Sequence, residues 1–179
     1  MNKKTTFLKS LRYICLAFVI SFGFITIIAT GGGGSDDGGT SYYLHPEKTL
    51  STSPMFTDTG SWTSRFRSGS SSEWSIELTG DIVGGTYSYN IWAWAVGSSF
   101  RIDIILLQSG IETDLASWTG ITTTDPDYYV QVQGTASGPA PTTETGDRLI
   151  VRITHTGPYT DWVEIKCSGE LQSHITVGP

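Results

Sequence analysis

Residues 100–106, Phe100-Arg101-Ile102-Asp103-Ile104-Ile105-Leu106, decide the fold class. Phe100, Ile102, Ile104 and Leu106 recur every second residue, the repeat of a β-strand whose successive side chains point to opposite faces. They form an inner face, and Arg101 and Asp103 are expected to point to water. Glu73-Trp74-Ser75-Ile76-Glu77-Leu78 repeats the pattern, with Trp74, Ile76 and Leu78 inward and Ser75 and Glu77 outward. Working outward, the same alternation predicts strands over 86–96, 128–133, 148–155, 161–167 and 172–177, and weaker ones over 41–44, 62–67 and 113–118. Gly, Ser and Thr dominate between them, while helix-favouring Ala, Leu, Glu and Lys are sparse, so the composition is all-β.

Turn residues separate these runs: Gly84-Gly85, Gly97-Ser98-Ser99, Gly157-Pro158 and Ser168-Gly169-Glu170. Short strands at this spacing predict a two-layer antiparallel β-sandwich of jelly-roll or Greek-key path. Residues 134–146, with Gly138-Pro139-Ala140-Pro141, cannot pair as a central strand and are expected to cross over the surface. No internal repeat at a fixed period points to a solenoid or propeller.

The chain starts differently. Lys3, Lys4, Lys9 and Arg12 precede an apolar run from Tyr13 to Thr30, which breaks into Gly31-Gly32-Gly33-Gly34-Ser35-Asp36-Asp37-Gly38-Gly39. A basic head before an apolar helix predicts export to the periplasm, cell surface or medium. The expected organisation is a signal peptide or membrane anchor over 1–30, a flexible Gly/Ser/Asp tether over 31–40 and the sandwich over 41–179. The run exceeds the roughly 7–15 residues of a secretory core and falls just short of the roughly 20 that span a bilayer, so cleaved and uncleaved forms both stay open. Ile27-Ile28-Ala29-Thr30-Gly31 resembles a bacterial lipoprotein signal with Thr30 where the lipid-bearing cysteine would stand, and Cys15 lies at the wrong end of the run to replace it.

The formal charge is −6, from 11 Lys and Arg against 17 Asp and Glu. Beyond residue 30 the four leader cations drop out, leaving seven against 17 and a charge of −10. Such a domain repels phosphate backbones, which excludes nucleic acid and anionic lipid head groups as general partners, with membrane contact confined to the N-terminal segment. Cys167 is the only cysteine past the leader, so no internal disulfide forms; in step with Val163 and Ile165, it is expected to be a buried, inert thiol.

Three closing segments resemble the C-terminal strands of exported bacterial jelly-roll domains: Thr145-Gly146-Asp147-Arg148-Leu149-Ile150-Val151-Arg152-Ile153, Trp162-Val163-Glu164-Ile165, and Ser173-His174-Ile175-Thr176-Val177. Gly85-Thr86-Tyr87-Ser88-Tyr89-Asn90-Ile91-Trp92-Ala93-Trp94 is similar to their G-x-Y-x-F strand. The resemblance is to the galactose-binding-like and carbohydrate-binding-module-like group, and it implies a β-sandwich outside the cell and glycan binding.

Candidate binding residues come from the aromatic content, six Trp and eight Tyr, because sugars stack their C–H faces on exposed rings. Trp92 and Trp94 share one face of a strand whose other face carries Tyr87, Tyr89, Ile91, Ala93 and Ala95. If that apolar face is buried, the two tryptophans form a platform; the alternative is that both point inward. Trp118 before the polar run 119–127, with Tyr128 and Tyr129 after it, marks a second rim. Asp125 and Asp127 share one turn, and Glu112 and Asp114 another; either pair offers hard oxygen ligands, but solvated turn acids are the plainer reading and no metal is expected. His45, His155 and His174 lack ligand spacing, Gly-x-Ser-x-Gly is absent, and no feature selects a glycosidase acid pair. The sequence therefore predicts a noncatalytic module without a cofactor, recognising a glycan or envelope component, with a cell-surface assembly protein binding a protein partner as the alternative and an enzyme behind both.

Overall fold

The computed structural model describes residues 38–55, 63–95, 97–125, 127–158 and 162–179. The leader and most of the tether lie outside them, and so does Trp62. Among the described residues no helix is long and apolar enough to cross a membrane.

Among the described residues eleven strands follow in order: β1 (Thr40–Leu44), β2 (Leu50–Ser51), β3 (Thr63–Arg67), β4 (Ser71–Glu77), β5 (Thr86–Trp94), β6 (Phe100–Gln108), β7 (Ile111–Ile121), β8 (Val130–Ser137), β9 (Arg148–His155), β10 (Trp162–Lys166) and β11 (His174–Gly178). They build the two antiparallel layers that the alternation predicts. Sheet B has the order β4-β9-β6-β7, and sheet A the path β2-β1-β11-β5-β10-β3 with β8 also on β5.

Strand β5 is the spine of sheet A. Along one edge it pairs with β8 from Thr86 to Ala93. Along the other, Thr86–Asn90 pair with β11 and Ala93–Trp94 with β10, so β10 and β11 lie end to end. The chain leaves and rejoins this line through residues 167–173, closed by a hydrogen bond from Ser173 N to Lys166 O (3.2 Å). Ser173 Oγ accepts another from Trp92 N (3.0 Å), filling the gap in the ladder beside β5.

Between the sheets, Phe100, Ile102, Ile104 and Leu106 of β6 meet Tyr87, Ile91, Ala93 and Ala95 of the β5 segment, all fully buried. Large aromatic side chains can enter this core because their polar ends find partners: Trp74 Nε1 donates to His45 O (2.8 Å) and Tyr87 OH to Pro139 O (2.5 Å). Lys48 also reaches inside. Its ammonium lies 4.1 Å from the Trp74 ring centre and donates to Ser64 Oγ and to Ser72 Oγ (2.6 Å), and burial pushes its pKa down. Cys167 is fully buried and free, and desolvation pushes its thiol up to about 11.

Two expectations need correction. Asp103 does not face water: it is 4% exposed and accepts from Arg101 Nε (2.6 Å). Ile105 and Ile150, paired on the same outer face of sheet B, are also buried. The cover is ionic. Arg152 binds Glu73 of β4 (2.5 Å) and Glu112 of β7 (2.8 Å), reaching across the Ile105–Ile150 row, so its methylene stem shields them. Residues 134–137 are also not a crossover but the second half of β8, possible because β8 is an edge strand; the crossover to sheet B begins at Gly138.

Candidate functional site

The candidate site lies on the outer face of sheet A. Tyr87, Tyr89, Ile91, Ala93 and Ala95 point into the core, which turns Trp92 and Trp94 outward, where both are half-buried by neighbouring strands. Register fixes those neighbours. Trp94 lies opposite Glu164 of β10, which lies opposite Arg65 of β3, while Trp162 faces Arg67 and Lys166 faces Thr63. On the β8 side Trp92 lies opposite Gln131 and Asn90 opposite Gln133, and Gln131 Nε2 donates to Asn90 Oδ1 (2.8 Å).

The anchor of this face is Glu164, a carboxylate only 8% exposed. Arg65 donates to Oε1 through Nε and its terminal nitrogen, and Tyr129 OH donates to Oε2 (2.5 Å). Both carboxylate oxygens are therefore occupied, which is what permits an acid to sit there. Burial first, then Glu164's hydrogen bond and charge, push the Tyr129 phenol up to about 12. Cations cover the rings: Arg67 lies 4.3 Å and Arg65 5.2 Å from the Trp162 ring centre, and Lys166 Nζ lies 4.2 Å from that of Tyr129. Arg65, Trp94, Asp127, Tyr129 and Glu164 together line an open depression of about 300 Å³.

The structure thus brings together three of the five sequence-selected residues, Trp92, Trp94 and Tyr129. Tyr128 stands apart, 71% exposed. Trp118 packs against the core, edge-on to Tyr89 at 4.9 Å between ring centres, and its buried Nε1 has no hydrogen-bond partner among the described residues. Trp162, Glu164, Arg65 and Arg67 were not selected from sequence. The alternation of Trp162, Glu164 and Lys166 against Val163, Ile165 and Cys167 was the available signal, but it names a face without naming the strands beside it.

Asp125 Oδ1 accepts from Asp127 N (2.9 Å), closing the turn, and Glu112 is held by Arg152. Among the described residues no group of three or more His, Cys, Asp or Glu could hold a metal ion. His174 lies tilted against Tyr43, 5.1 Å between ring centres, and burial lowers its pKa. His155 Nε2 bonds Ser98 Oγ beside a second depression of about 410 Å³, but both side chains are buried and His155 Nδ1 has no partner among the described residues to orient the ring.

No family model and no curated protein matches the sequence. Solved structures share the fold. An α-amino acid ester hydrolase matches at TM-score 0.66 and 12% identity over 78% of this chain and 36% of its own. An aminopeptidase from a marine sediment Thaumarchaeota archaeon matches at 0.62 and 11% over 78% and 36%, and a CocE/NonD family hydrolase from Staphylococcus aureus at 0.61 and 14% over 80% and 37%. The chain therefore spans little more than a third of these proteins, and the likeness is one of fold alone. A xylan-binding module also matches, at 0.44 and 11% over 79% and 93%, a score too low to carry an argument.

Proposed function

We propose that the domain is an exported, noncatalytic binding module that holds a glycan on the outer face of sheet A. The observation that carries this reading is the clustering of Trp92, Trp94, Trp162 and Tyr129 on one sheet face, interleaved with Asn90, Gln131, Glu164 and Arg65. Rings offer flat apolar surface to sugar C–H faces, and side chains already fixed by Glu164 offer hydroxyl partners at little entropic cost. Trp92, Trp94 and Tyr129 are the sequence-selected residues that carry over; Tyr128, at the exposed rim, is an outlying contact. The leader would carry the domain out of the cytoplasm, and the Gly/Ser/Asp tether would give it reach from an envelope.

Affinity electrophoresis of the purified sandwich through gels of plant, microbial and algal polysaccharides tests this. Retardation by at least one polymer, reduced about fivefold or more in affinity by Trp94→Ala, is expected. Absence of retardation by any, or retardation indifferent to Trp94→Ala and Trp92→Ala, overturns it.

One observation favours the alternative of a surface assembly protein: β8 is an eight-residue edge strand without a charge, paired on one side to β5. Self-association at micromolar concentration that is abolished by Thr135→Lys would support that reading instead.

A further inference from the structure

Charge is distributed unevenly between the two outer faces. On sheet B, Glu73, Glu77, Asp103, Glu112 and Asp114 outnumber Arg101, Arg148 and Arg152. On sheet A the described strands present Arg65, Arg67 and Lys166 against Glu164, with Asp127 of the loop before β8 on the same depression. Three of the seven cations beyond residue 30 thus lie around the aromatic cluster of a domain whose formal charge is −10. The cations of sheet B are committed: Arg152 to Glu73 and Glu112, Arg101 to Asp103, and Arg148 to Ser75 Oγ (2.5 Å). Arg65 is committed to Glu164. Arg67 is exposed, and among the described residues its side chain's contact is the Trp162 ring. Acidic polymers are repelled by the domain as a whole, so a local excess of cations over rings selects for them at this face only.

We infer that the sugar polymer taken by this face is anionic, carrying carboxylate or sulfate groups that Arg67 meets while Trp162, Trp94 and Tyr129 stack the rings. This rests on the glycan reading and adds the charge class of the ligand. A guanidinium over an aromatic ring still has N–H edges to offer an anion in the ring plane, so Arg67 can bind a carboxylate without leaving Trp162. Asp127 works against it: it lines the depression beside Tyr129, and its charge limits the affinity.

The test pairs polymers that share a backbone and differ in charge: carboxymethyl cellulose against hydroxyethyl cellulose, and dextran sulfate against dextran, each titrated calorimetrically at about 0.02 M and about 0.5 M NaCl. The expected result is tighter binding to at least one anionic member than to its neutral counterpart, a preference that shrinks at high salt. Arg67→Gln should weaken binding to the anionic member roughly threefold or more, and Asp127→Asn should strengthen it. Which anionic member binds separates carboxylate from sulfate recognition, and either supports the inference. Equal binding of charged and neutral members, or anionic binding indifferent to both substitutions, overturns the charge assignment and leaves the glycan reading standing. Binding to none of these four or of the wider polysaccharide set overturns both. Binding of single-stranded DNA with the same Arg67→Gln loss and no glycan binding assigns the face to nucleic acid and overturns both as well.

Discussion

Glu164→Gln is expected to loosen the proposed binding face without unfolding the sandwich, and the structure sets the size of the effect. The wild-type carboxylate is 10% exposed in its side chain, whereas Arg65 opposite is 56% exposed. An acid paired with a fully buried cation would leave about 3–5 kcal/mol behind when removed. Here Arg65 turns to water, so the loss reduces to exchanging charge-assisted hydrogen bonds from Arg65 and Tyr129 for neutral ones, about 1–2 kcal/mol after solvent screening. In a domain of this size that lowers Tm by roughly 3–8 °C. The same substitution removes Glu164's charge from beside Tyr129 and weakens the hydrogen bond its phenol donates, two of the causes that raise it, leaving burial as the main one. The Tyr129 pKa should therefore fall from about 12 toward its ordinary value. Tyrosine ring-carbon NMR shifts followed with pH, with Tyr129→Phe to identify the resonance, measure this alongside thermal unfolding. A stability loss above about 4 kcal/mol, or a Tyr129 titration unchanged by the substitution, would refute the view of Glu164 as a rim anchor held by an exposed cation.

Other consequences concern the sandwich itself. A methyl carbon at Gly138 would lie 2.0 Å from Leu115 O and 3.1 Å from Tyr87 Cε2, so Gly138→Ala must push β8's end away from β7; a cost of about 2–4 kcal/mol is expected in urea denaturation. Gly110→Ala, with φ of +82° but open space around it, should cost only about 1 kcal/mol, and equal costs would show that the seam is not closed at Leu115. The Cys167 thiol, raised from 9.0 to about 11 by burial, contributes stability that is fully present below pH 9 and lost as pH rises through 11. Between those limits the wild type should lose roughly 2–3 kcal/mol more than Cys167→Ala, and parallel pH profiles would show the thiol is not desolvated. Arg152→Ala should cost about 1–2 kcal/mol and Arg152→Met less, because methionine keeps the cover over Ile105 and Ile150; the reverse order in urea midpoints would place the stabilisation in the ion pairs.

How far the sequence reached depended on what sat outside each strand. Phe100 to Leu106 and Trp74 to Leu78 were legible because inner positions alternate with polar ones, and β9 falls on residues 148–155 as predicted. Asp103 was misplaced, and Ile105 left unassigned, because alternation assumes water on the outer face, whereas sheet B covers that face with Arg101, Arg152 and their acids. β7 ran to eleven residues where a short, weak strand was expected, since its largely exposed side chains leave little apolar signal. Trp92 and Trp94 were legible as one face from spacing alone. Their partners were not: Arg65 and Glu164 are 99 residues apart, and only the pairing of β3 and β10 beside β5 brings them to Trp94. A strand pattern states which way a side chain points, and register states what stands next to it.

The most direct test is to follow the six indole N–H resonances while adding an oligosaccharide of the tightest-binding polymer. Trp74 and Trp118 serve as internal controls, the first fully buried and the second packed on the core at Tyr89. Shifts confined to Trp92, Trp94 and Trp162, saturating with ligand, are the predicted result. Saturable shifts at Trp118 with those three unmoved, or binding that moves none of the three, would contradict the assignment of the site to the outer face of sheet A.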